Sequence, residues 1–155
     1  MSSDPIVRPG QPNSTGAPQW EKANEAPLDA AGSARHHILV VDDEHVVLTL
    51  TSRMLRSAGY DALEAASARH ALNILDRGDP AVDLVITDVV MPETDGRTLG
   101  RLIGERFPGL PVAYMSAYPV NDVFHRGAPG PNLPFLSKPF SPEALLALVK
   151  TVLVA

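Results

Sequence analysis

Five short runs of strand character, each followed by a turn or a stretch of helical period, constrain this chain more than any other feature. They are His37 to Val41, Tyr60 to Ala65, Asp83 to Thr87, Pro111 to Met115 and Pro134 to Ser137. The clearest of them, Ile38-Leu39-Val40-Val41 and Leu84-Val85-Ile86, are apolar without alternation, as expected of parallel strands covered on both faces. Five βα units in succession imply right-handed crossovers and helices on both sides of one sheet. In such open sheets the carboxyl ends of the strands form the ligand crevice.

The segments between the runs carry helix signals. Val47, Leu50, Met54 and Leu55 recur at helical spacing, and Gly59 supplies a left-handed cap. Ser67 caps a second helix bearing Ala71, Leu72 and Leu75, which ends near Gly78. A third starts at about Asp95, with Leu99, Leu102 and Ile103 on one face and Pro108-Gly109 closing it. Four prolines and two glycines between Pro119 and Pro134 admit at most a short helix over roughly Val120 to Arg126. Ser141 before Pro142 caps the last helix, whose stripe is Leu145, Leu148, Val149 and Val152.

A length of 155 residues, 45% of them apolar, suits one domain with a core. Residues 1–35 differ from the rest, with prolines at 5, 9, 12, 18 and 27 and no sustained period, so a disordered tail is expected before a domain over 36–155. A net charge of −5 provides no field for gripping nucleic acid. With no cysteine there is no disulfide or thiolate chemistry, and no apolar stretch is long enough to span a bilayer; a cytoplasmic protein is expected. The five histidines show no ligand spacing.

Charge gathers at the strand ends. Asp42 and Asp43 follow the first run, Asp88 the third and Lys138 the fifth. Taken singly, an Asp pair after a strand reads as a helix cap or a solvated turn, and Lys-Pro as a strand end. Together, three carboxylates at one spot invite a divalent cation, and the lysine suggests an anion that comes and goes.

Val40-Val41-Asp42-Asp43-Glu44, Thr87-Asp88, Met91-Pro92-Glu93-Thr94-Asp95-Gly96, Met115-Ser116-Ala117-Tyr118 and Lys138-Pro139-Phe140 resemble the response-regulator receiver domain of two-component signalling, over about residues 36 to 154. The motif style is similar to receivers of hybrid sensor kinases. The resemblance implies a flavodoxin-like (βα)5 sandwich of strand order 2-1-3-4-5 with a short or irregular fourth helix. It implies Asp88 as phosphoacceptor, Asp43 and Asp88 as Mg²⁺ ligands, Asp42 acting through water, the Val90 carbonyl completing the set and Lys138 gripping a phosphoryl oxygen. Pro139 resembles the family's cis proline. Ser116 and Phe135 stand at the family's switch positions; phenylalanine there offers no phenol, so its states must differ by packing. Val90 and Tyr118 flank the path of an attacking water and supply no group to orient it, so a slowly hydrolysed phosphoryl group is expected.

By this reading the chain is a stand-alone switch, not an enzyme beyond its own phosphotransfer and autodephosphorylation. Its expected partners are a histidine kinase or histidine phosphotransfer domain, docking near helix one and the strand-five loop, and a downstream protein; it is a monomer or a weak phosphorylation-dependent dimer. Two alternatives stand beside it: a binding module that is never phosphorylated, and a phosphatase of the aspartyl-phosphate type. The phosphatase pattern has a nucleophile after strand one and a second Asp two residues on, whereas Asp42 and Asp43 are adjacent.

Overall fold

A computed structural model of the protein describes residues 35–124 and 133–154. The expected tail over 1–35, its last residue aside, lies outside the described residues, as does the part of the expected fourth helix beyond 124. Within the unit that begins at His36, the elements are β1 (His37–Val41), α1 (His45–Ser57), β2 (Asp61–Ala65), α2 (Ala68–Arg77), β3 (Leu84–Asp88), α3 (Gly96–Arg106), β4 (Val112–Ser116), α4 (Val120–Phe124), β5 (Phe135–Ser137) and α5 (Pro142–Leu153). The five strands form one sheet in the order β2-β1-β3-β4-β5, every neighbouring pair parallel. This is the expected doubly wound arrangement.

Strand pleating divides the apolar runs between two cores. Ile38 and Val40, with Leu84 and Ile86, face α1 and α5, meeting Leu48, Leu55, Leu145 and Val149. Leu39, Val41 and Val85 face α2 and α3, meeting Ile74, Leu75, Leu99 and Ile103. Both faces are buried, which is why the runs lack alternation. A third, smaller cluster of Val89, Tyr114 and Val123 lies under α4, with Phe135 and Leu133 against it.

Local signals set the helix ends. Ser67 Oγ accepts from the His70 amide, Asp95 Oδ1 from Thr98, and Ser141 Oγ from Ala144, each an N-cap of the expected kind. Gly78 closes α2 at φ 68°, in the left-handed region. The face of α1 differs from expectation. Leu48, Thr51, Ser52 and Leu55 are buried, whereas Leu50 is 48% exposed. Two small hydroxyl residues occupy core-facing positions, and of the apolar set Leu50 is turned towards the flank of the helix while Met54 packs against the edge of the core.

Candidate functional site

The strand ladder extends just past its ends and so places the charged residues. Asp42 N donates to Ala65 O, Val89 N to Met115 O, and Lys138 N to Ser116 O at 2.8 Å. The chain is thereby held in register at the strand ends that bear the charged residues. Asp42 and Asp88 are buried and Asp43 is exposed.

These acids meet. Asp42, Asp43 and Asp88 each offer a carboxylate oxygen within 4.8 Å of the others. Lys138 Nζ donates to Asp42 Oδ2 at 2.7 Å, lies 3.2 Å from Asp88 Oδ1, and is 3.9 Å from Glu44 Oε1 on the rim. The second Asp42 oxygen accepts from the Glu44 amide. Lys138 is followed by a cis peptide bond to Pro139.

Electrostatics follow from this crowding. Burial, then the neighbouring Asp42 charge, pushes the Asp88 carboxyl up to about 6, against the opposing pull of Lys138. Burial alone would depress the Lys138 ammonium, but its hydrogen bond and charge pairing with Asp42, joined by Asp88, outweigh this and raise it above the ordinary lysine value. One ammonium for three carboxylates leaves the cluster short of positive charge. An all-oxygen donor set of this kind matches a hard divalent cation.

Around the cluster, Ser116 is buried at the end of β4, and its Oγ accepts from the Tyr118 amide at 3.0 Å, closing the turn. Val90 and Tyr118 are 52% and 55% exposed and line one cleft of about 380 Å³ beside Asp88's strand end. Phe135 pairs in register with Tyr114, two residues before Ser116, and packs in the α4 cluster instead of in either main core.

Three contributors escape sequence reasoning. Gly96 donates to Val89 O at 2.7 Å, and a β-carbon there would stand 2.1 Å from Asp88 O; only glycine lets the loop close on the strand end. Glu93 makes the tight turn of that loop at φ 68°, with Thr94 N bonded to Pro92 O. Tyr114 has its hydroxyl against α3 at Gly100. The Gly96 signal was present in the Asp95-Gly96 pair after Thr87-Asp88; the Tyr114 contact has no local signature.

The model of the response regulator receiver domain matches residues 38–150. The chain belongs to that family. Among similar proteins, sensor kinase CckA of Brucella abortus is 41% identical over 134 residues, covering 86% of this chain and 14% of its own length. Response regulator FleR of Pseudomonas aeruginosa is 39% identical over 116 residues, 72% of this chain and 23% of its own. The receiver thus spans a minor part of these curated relatives. Of solved structures, the receiver domain of hybrid histidine kinase CckA is 35% identical at TM-score 0.63, covering 76% of this chain and 98% of that one. The chemotaxis protein CheY4 of Vibrio cholerae is 27% identical at TM-score 0.70, covering 77% and 99%. Among the described residues no helix is long and apolar enough to cross a membrane.

Proposed function

We propose that residues 36–155 form a cytoplasmic phosphorylation switch in which Asp88 accepts a phosphoryl group from a phosphohistidine. The supporting observation is the meeting of Asp42, Asp43, Asp88 and Lys138 from three separate strand ends. Asp88 is the nucleophile, its carboxylate oxygen forming the acyl phosphate as the bond from phosphorus to the histidine nitrogen breaks. Asp43 and Asp88 would hold Mg²⁺ directly with the Val90 carbonyl. Both Asp42 oxygens already accept hydrogen bonds, which favours its action through a bound water. When bound, the cation would neutralise the carboxylates and the phosphoryl oxygens. Lys138 binds a phosphoryl oxygen as a point charge. Ser116 supplies a hydroxyl to the phosphoryl group, and Phe135 responds by repacking in the α4 cluster, carrying the change to the face formed by α4, β5 and α5.

A histidine kinase or phosphotransfer domain is the proposed donor. A groove of about 350 Å³ beside Lys138, lined by Val47, Leu50, Met54, Ala117 and Phe140, suits an apolar helix face. The outward turn of Leu50 on α1 is thus given a purpose.

Acetyl phosphate with Mg²⁺ should label the wild-type chain with one phosphoryl group, and labelling should disappear in Asp88→Asn or on chelation. Label retained by Asp88→Asn would refute the assignment. Binding of a partner unchanged by that substitution would instead mark a phosphorylation-independent module.

A further inference from the structure

α4 is described over Val120–Phe124. Within it, the Val123 carbonyl is held by a side chain of another element. Arg97, on the first turn of α3, donates from Nη1 to Val123 O at 3.0 Å and from Nη2 to Asp95 Oδ2 at 3.0 Å.

We propose that Arg97 is a positioning residue that clamps α4 to the loop that follows Asp88. The inference rests on the phosphoryl-switch reading for its purpose, although the clamp itself is a matter of geometry. Asp95 is the N-cap of α3, bonded to Thr98, and precedes Gly96, whose amide bonds to Val89 O beside Asp88. Backbone at the phosphoacceptor is therefore linked through Gly96, Asp95 and Arg97 to Val123 of α4. Below the clamp, Val123 packs on Val89 and Tyr114. One turn along α3, Gly100 leaves room for the Tyr114 hydroxyl, so the same helix face also seats the floor of the α4 cluster.

Charge is not the main term. The Arg97 side chain is 50% exposed, where ion pairs contribute little. What a lysine lacks is the planar fork that reaches two fixed acceptors at once. Burial raises the Asp95 carboxyl, but the Thr98 amide and Arg97 outweigh it and hold it below the ordinary range, keeping an acceptor for the fork.

Amide exchange in the full-length protein tests the clamp. In Arg97→Met the amides of residues 122–124 should exchange roughly tenfold faster, a change in the range of one lost hydrogen bond. Those of α1 and α2 should keep their rates, and Arg97→Lys should fall between. Beryllofluoride with Mg²⁺ should alter exchange over 122–124 in the wild type and no longer do so in Arg97→Met. Wild-type rates over 122–124 in a folded Arg97→Met would overturn the proposal, as would an undiminished beryllofluoride response. Should the wild type take up no beryllofluoride, the switch reading falls, and the clamp is still decided by the unliganded rates. Where Arg97→Met does not fold, nitrogen-15 spectra of the wild-type guanidinium decide: slowed rotation supports the clamp and free rotation overturns it.

Discussion

At Asp88 the folded chain holds a carboxyl pushed up to about 6, by burial first and the Asp42 charge second. An unfolded aspartate releases its proton near its ordinary value of 3.8, so between these values the folded state binds more protons. Stability therefore falls as pH rises from about 4 to 6, and above that range the full penalty of the ionised group is present. Asp88→Asn should raise the unfolding free energy of the metal-free protein at pH 7.5 by on the order of 1–2 kcal/mol, with the difference fading towards pH 4. Urea titrations across that range check it, and equal midpoints at pH 7.5 would contradict it. Mg²⁺ should narrow the gap by stabilising the wild type alone. The proposed phosphoacceptor would thus weaken the fold until a cation is bound.

On the scale of single elements, α3 contains a built-in comparison. A β-carbon at Gly100 would lie 1.9 Å from the Tyr114 hydroxyl, whereas one at Gly104 meets nothing within 4 Å. Gly104→Ala should stabilise by about 0.5–1 kcal/mol through helix propensity. Gly100→Ala should instead destabilise by about 1–3 kcal/mol because the buried ring must shift. Thermal unfolding of the pair distinguishes the two effects, and equal shifts would show that Tyr114 yields freely. The sequence made elements of this kind readable where a signal is local. Ser67, Asp95 and Ser141 act through amides three residues on. Continuous runs such as Ile38 to Val41 told of a sheet covered on both sides. The α1 stripe misled because Thr51 and Ser52 face the core while Leu50 does not, and periodicity cannot distinguish an apolar flank from an apolar interior. Arg97 and Tyr114 went unread because their contacts join elements far apart in sequence.

For the molecule as a whole, strand order explains why the candidate site could be sketched before the fold was known. Parallel strands all point their carboxyl ends the same way, so acids after β1 and β3 and a lysine after β5 converge. Their distances, and the double engagement of Asp42, depended on packing that no spacing encodes. The exposed Val90 and Tyr118 belong to this scale too, since they come from different loops and line one cleft. Neither orients water, so loss of label from the phosphorylated protein should speed up several-fold in Val90→Asn, on the order of general-base effects reduced for an amide. Equal decay in the two proteins would remove the shielding role.

β5 is three residues long and lies at the edge of the sheet, paired with β4 alone. Edge segments of this size open at a free energy below that of global unfolding. Each such opening would carry Lys138 away from Asp42, its partner 96 positions earlier, while the acids stay fixed on interior strands. If Lys138 captures an anion as proposed, fraying of this one short edge would weaken that capture and leave the acidic half of the site intact, so substitutions in β5 should tune it.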